Sequence, residues 1–148
     1  MEPTFVTKPA FTVVGLKIKT KNEQGEIPAL WQKLGPQMCN MENVVDPHTA
    51  YGICDAPDES GAFNYLAGCK VSQPGELAEG LEAWDIPEQK YAVFKTTLPG
   101  MHQVYEHIYG TWLPQSGFQT SEVMFELYDK EFDPRIADSG FYIYVPVK

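Results

Sequence analysis

Apolar and polar positions along the chain fall into two successive runs of the same elements. Phe11-Thr-Val-Val-Gly-Leu-Lys-Ile-Lys19 is apolar and β-branched, alternates towards its end, and predicts a strand. A polar stretch from Thr20 to Glu26 follows, and Ile27-Pro28 then opens a helix, because proline fits a helix's first turn. Ile27, Leu30, Trp31 and Leu34 share one face of that helix, and Gly35-Pro36 predicts its interruption or end. The apolar runs Ala50–Asp55 and Phe63–Val71, separated by Ala56-Pro-Asp-Glu-Ser-Gly61, predict a hairpin.

The order then repeats. Tyr91–Lys95 predicts a strand, and Leu98-Pro-Gly100 is its exit. A helix from about Met101 to Leu113 would place Tyr105, Ile108, Tyr109 and Trp112 on one face. Val123–Tyr128 and Phe141–Val147 predict strands joined by the polar loop Asp129–Ser139, while Ser72–Asp85 reads as the connector between halves. An offset of 78 residues aligns Val13 with Tyr91, Leu30 with Ile108, Trp31 with Tyr109, Leu34 with Trp112 and Phe63 with Phe141. The third element alone breaks step, at 74 residues, pairing Tyr51–Asp55 with Phe125–Asp129. The predicted fold is therefore α+β: duplicated βαββ units with pseudo-twofold symmetry, antiparallel sheets, and two helices flanking a central cleft. One domain over residues 1–148 is expected, with repeat one at about 5–72 and repeat two at about 86–148. In this alignment Gly52 stands where the second half has Glu126.

Composition narrows the function classes. The 148 residues are 43% hydrophobic, 13% aromatic and 21% charged, which suits one soluble globular domain. No apolar run is long enough to span a membrane, and the N-terminus lacks a basic segment followed by an apolar one, so a cytoplasmic home is expected. Cys39, Cys54 and Cys69 are odd in number and unpaired in spacing, which predicts buried reduced thiols. A net charge of -9 repels phosphate backbones, so direct nucleic-acid binding is not expected, whereas a cationic partner suits it. His48, His102 and His107 have no metal-ligand spacing, and no phosphate loop, dinucleotide fingerprint or nucleophile elbow occurs, so neither metal nor cofactor is expected.

The candidate chemistry centres on Glu126. In Val123-Met-Phe-Glu-Leu-Tyr128, alternation turns Met124, Glu126 and Tyr128 to one face and Val123, Phe125 and Leu127 to the other. A carboxylate held beside a thioether and a phenol costs several kcal/mol unless it gains a partner, and no lysine or arginine stands two residues away. Two alternatives remain open at this point: a solvated or lysine-paired strand face, and a carboxylate awaiting a cation or acting as general acid or base. Tyr105, Tyr109 and Trp112, with Trp31 on the matching helix, would wall such a site, joined by Tyr51, Tyr128 and Trp84. Aromatic walls with one anion suit planar organic cations.

Four stretches carry a family resemblance: Phe11-Thr-Val-Val-Gly-Leu16, Ile86-Pro-Glu-Gln-Lys-Tyr-Ala-Val-Phe94, Trp112-Leu-Pro-Gln-Ser-Gly-Phe118, and Phe125-Glu-Leu-Tyr-Asp129 with Phe141-Tyr-Ile-Tyr-Val-Pro-Val147. In that order the chain resembles the GyrI-like, AraC-type effector-binding domains, which also form the ligand-sensing parts of Rob and BmrR. The resemblance implies duplicated βαββ units around a cleft, lipophilic or cationic ligands, and a cleft glutamate matched here by Glu126. It departs where an acidic residue often precedes the Ile-Tyr pair, a position held here by Tyr142, so no second carboxylate is implied. The two halves fill the sequence and leave no space for a helix-turn-helix reader, so the expectation is a stand-alone binding protein for hydrophobic cations. Transcriptional or drug-response regulation would then act through a separate protein partner, and a homodimer stays open. Two other readings are retained: a hydrolase using Glu126 with Tyr109 or Tyr128 as base and acid, and an acidic gyrase inhibitor acting by protein contact.

Overall fold

The computed structural model describes residues 2–21, 25–38, 41–120 and 123–148; the expectation for Cys39 lies outside them. In chain order the elements are β1 (Thr4–Lys8), β2 (Phe11–Thr20), α1 (Glu26–Gln37), β3 (Ala50–Asp55), β4 (Phe63–Val71) and β5 (Glu82–Ile86). They continue with β6 (Gln89–Thr97), α2 (Met101–His107), a π-helical turn (Ile108–Trp112), α3 (Leu113–Ser116), β7 (Val123–Tyr128) and β8 (Gly140–Pro146). All strands join one antiparallel eight-stranded sheet in the order β1-β6-β8-β7-β3-β4-β2-β5. Read outward from the central β3–β7 pair, the two wings have the same order, and each contains one βαββ unit. Gly52 pairs directly with Glu126 across that centre. Sequence-equivalent positions facing each other are what a twofold axis through the central pair requires.

The helices explain the cleft. Leu30 and Leu34, one turn apart, bury against Tyr65 and Ala67, which seats α1 over β2 and β4. Val104 and Ile108 seat the second helical segment over β6 among Phe94, Phe141 and Ile143. Each helix covers its own wing, and the central pair is left between them as a floor.

The opposite face of the sheet buries itself by curling. Phe11 of β2 and Phe125 of β7 lie 5.4 Å apart between ring centroids, although two strands intervene. In a flat sheet that step would span about 14 Å. Phe125 also meets Tyr51, Tyr91 and Tyr144, at 5.6, 5.1 and 4.5 Å, and so forms the centre of an aromatic core.

Four elements differ from expectation. β1 and β5 are strands, where the sequence suggested none before Phe11 and a connector over Ser72–Asp85. Both are short sheet edges: β1 is exposed at four of its five residues, and β5 turns only Trp84 and Ile86 inward, too brief an alternation to mark a strand. Helix α1 runs through Gly35-Pro36 to Gln37, and beyond the proline the Met38 amide still donates to the Leu34 and Gly35 carbonyls. The second helix widens into a π turn ahead of Pro114, whose ring would collide with the Gly110 carbonyl in a regular α-helix.

Candidate ligand-binding site

Between α1 and α2, over the central strands, opens a cleft of about 1270 Å³. Its floor is Met124, Glu126 and Tyr128 of β7 with Ala50 and Cys54 of β3; Trp31 and Ile27 wall one side, Tyr105 and Tyr109 the other. Strand alternation delivers the floor residues as the sequence implied, with Val123, Phe125 and Leu127 turned into the curled aromatic core.

Glu126 is 7% exposed, and it meets phenols instead of cations. Its Oε1 accepts from Tyr65 at 3.0 Å and from Tyr128 at 2.9 Å, and its Oε2 accepts from Tyr105 at 2.6 Å. Trp31 Nε1 donates to the Tyr65 hydroxyl at 3.2 Å, extending the chain of hydrogen bonds to α1. Among the described residues no lysine, arginine or histidine lies in salt-bridge contact with this carboxylate. The alternative of a solvated or lysine-paired strand face is thereby removed.

Two opposing effects set the charge here. Burial pushes the Glu126 carboxyl above its usual value of 4.5, while donation by Tyr105, Tyr128 and Tyr65 pulls it down; burial wins. Burial first, and then the Glu126 charge, push Tyr65, Tyr105 and Tyr128 above 10, so all three remain donors. Each phenol donating to a charged acceptor contributes about 1.5–3 kcal/mol. Tyr109, pushed up to about 12 by burial, stacks on Tyr105 at 6.3 Å with 6° between planes. Its hydroxyl meets Met124 Sδ at 3.3 Å. Cys54, at the floor, is an unpaired thiol held protonated by burial.

The structure brings together Glu126, Tyr128, Trp31, Tyr105 and Tyr109, but not Tyr51, Trp84 or Trp112. Tyr51 precedes Gly52, so alternation turns it to the far face, where it packs on Phe11 and Phe125. Trp84 lies on the edge strand β5 with Lys17 over its ring at 5.0 Å. Trp112 is the last residue of the π turn, in which each residue advances by less than the α-helical 100°. It therefore falls in line with Ile108 and packs on Phe94 at 5.2 Å. Sequence reasoning missed Tyr65, the third phenol. Its signal was the β3–β4 hairpin register, which sets Cys54 beside Tyr65 and Gly52 beside Ala67.

The missing side chain at Gly52 is what admits Tyr65. A Cβ there would overlap the Tyr65 hydroxyl and stand 3.0 Å from Glu126 Oε1. The asymmetry between the halves thus makes space for a phenol from the first half to reach a carboxylate from the second.

Among known proteins, the transcriptional regulator BrlR of Pseudomonas aeruginosa is 34% identical over 151 aligned positions, covering 99% of this chain and 56% of that protein. The chain thus spans little more than half the length of that relative. SAV2435, solved bound to tetraphenylphosphonium, superposes with a TM-score of 0.79 at 21% identity, over 100% of this chain and 94% of that one. An integron cassette protein from the mobile metagenome of Vibrio cholerae superposes at 0.68 with 17% identity, covering 99% and 96%. At such identities the two structures establish the shared fold. Residues 4–147 match the profile described as Cass2, integron-associated effector binding protein, and the chain belongs to that family of effector-binding proteins.

Proposed function

We propose that the cleft binds lipophilic organic monocations and that Glu126 supplies the counter-charge. The observation that carries this reading is a carboxylate 7% exposed, held by three phenols and, among the described residues, by no cationic side chain, at the floor of an aromatic cleft. A cation entering here would complete a charge that the protein leaves unbalanced, and the Trp31, Tyr105 and Tyr128 rings would take its positive surface. The tetraphenylphosphonium held by SAV2435, on the same fold, supports the same class of ligand. The apolar walls give affinity without shape-specific polar contacts, which suits a sensor that accepts several related cations. Occupancy would be passed to another domain or partner, which fits the chain's similarity to part of a transcriptional regulator.

The test is a pair of titrations of tryptophan fluorescence, one with tetraphenylphosphonium and one with neutral triphenylphosphine oxide. Wild-type protein is expected to prefer the cation. Glu126→Gln is expected to weaken cation binding by about 1–3 kcal/mol and to leave the neutral compound's affinity in place. Equal losses for both compounds, or none, would remove Glu126 from the reading.

A further inference from the structure

The way Glu126 is covered bears on which cations the cleft can hold. An ionised carboxylate accepts about four hydrogen bonds, two at each oxygen. Tyr65 and Tyr128 together occupy Oε1, and Tyr105 takes one of the two positions on Oε2. A ligand bearing an N–H has therefore one acceptor position left, on a carboxylate that is 7% exposed. A ligand without N–H donors needs none: it meets the ring faces and the phenol oxygens, which become more negative as their protons lean to the carboxylate.

The decisive group among the three phenols is Tyr65, because its place depends on an absent side chain. A Cβ at position 52 would collide with its hydroxyl. The Tyr65 oxygen also accepts from Trp31 Nε1, so its removal frees an Oε1 position and unties the indole as well.

We propose that Gly52 is a specificity-determining residue: by admitting the Tyr65 hydroxyl to Oε1 it saturates that oxygen, and so selects donor-free cations, such as quaternary ammonium and phosphonium ions, over protonated amines of equal size. Gly52 acts as a positioning residue, through Tyr65, with no ligand contact of its own. The inference rests on the cation-binding reading of the same cleft, and the test separates the two.

The probes are benzyltrimethylammonium and benzyldimethylamine, the latter protonated at neutral pH, which differ by one methyl group in place of one N–H. Their dissociation constants are measured by calorimetry on wild-type, Tyr65→Phe, Gly52→Ala and Glu126→Gln proteins, with thermal unfolding as the check on folding. Wild-type protein is expected to favour the quaternary ion. Tyr65→Phe and Gly52→Ala are each expected to narrow that preference about tenfold, by freeing an Oε1 acceptor for the amine. If Gly52→Ala does not fold, Tyr65→Phe carries the comparison alone. A preference left unchanged in Tyr65→Phe, while Glu126→Gln weakens both probes, overturns this inference and leaves the cation reading standing. Binding of both probes unaffected by Glu126→Gln, or no binding to the wild type, overturns both.

Discussion

If Glu126 supplies the counter-charge, cation binding must be linked to its proton. Burial raises the carboxyl above 4.5 despite three donated hydrogen bonds, so part of the population is protonated at pH values where an exposed glutamate is fully ionised. A cation favours the ionised form. Affinity is therefore highest above the raised value and falls as pH drops through it, and binding in that window releases protons. With one carboxylate titrating, the dissociation constant rises at most tenfold for each pH unit lost, about 1.4 kcal/mol. The phenols do not contribute: Tyr65, Tyr105 and Tyr128 lie above 10, and Tyr109 is near 12. His102 lines the cleft as well, paired with Glu106 at 2.9 Å. Any slope left in Glu126→Gln belongs to groups other than Glu126. The assay is calorimetry with tetraphenylphosphonium at successive pH values, in two buffers of different ionisation heat, which counts protons released per ligand. A wild-type affinity flat from below pH 5 to pH 8, or a slope equal in Glu126→Gln, would refute the linkage.

Three further outcomes follow from the same geometry. In the free protein the raised carboxyl means that stability from this group is full below its unfolded value of 4.5 and is lost as pH rises through the folded value. Wild-type protein should lose melting temperature relative to Glu126→Gln as pH increases, and the opposite trend would reverse the sign assigned to burial. Trp31→Phe should cost about 0.5–2 kcal/mol of cation affinity, while Trp84→Phe and Trp112→Phe should leave a calorimetric dissociation constant within error, because neither ring reaches the cleft. Phe125→Ala removes a ring that is 0% exposed and central to four aromatic contacts. It should destabilise the fold by about 3–5 kcal/mol in urea unfolding, and a loss below 1 kcal/mol would deny that ring its place in the core.

The order of the βαββ units was legible because each inner strand and helix buries one side, and burial writes a period into the sequence. The opposition of Gly52 to Glu126 was legible too, from the shared order of the halves. Residues whose environment is set by neighbours distant in sequence were harder to read. The edge strands β1 and β5 are short, and β5 turns only Trp84 and Ile86 inward, too few residues to write a period. The rotation of Trp112 away from Tyr105 follows from the π turn ahead of Pro114, which helical spacing alone does not anticipate. Tyr51 could have been set aside, since it adjoins Gly52 and strand alternation sends the two to opposite faces. Tyr65 needed the hairpin register, and beyond it the knowledge that a glycine had left space for its hydroxyl.

A crystal structure of the protein with tetraphenylphosphonium tests the central claim most directly. The phosphonium is expected between α1 and α2, within about 6 Å of the Tyr105 or Tyr128 ring, with the Glu126 carboxylate as the nearest negative charge. Density for the cation on the far side of the sheet, over Phe11 and Tyr144, or in the cleft but turned away from Glu126, would contradict it.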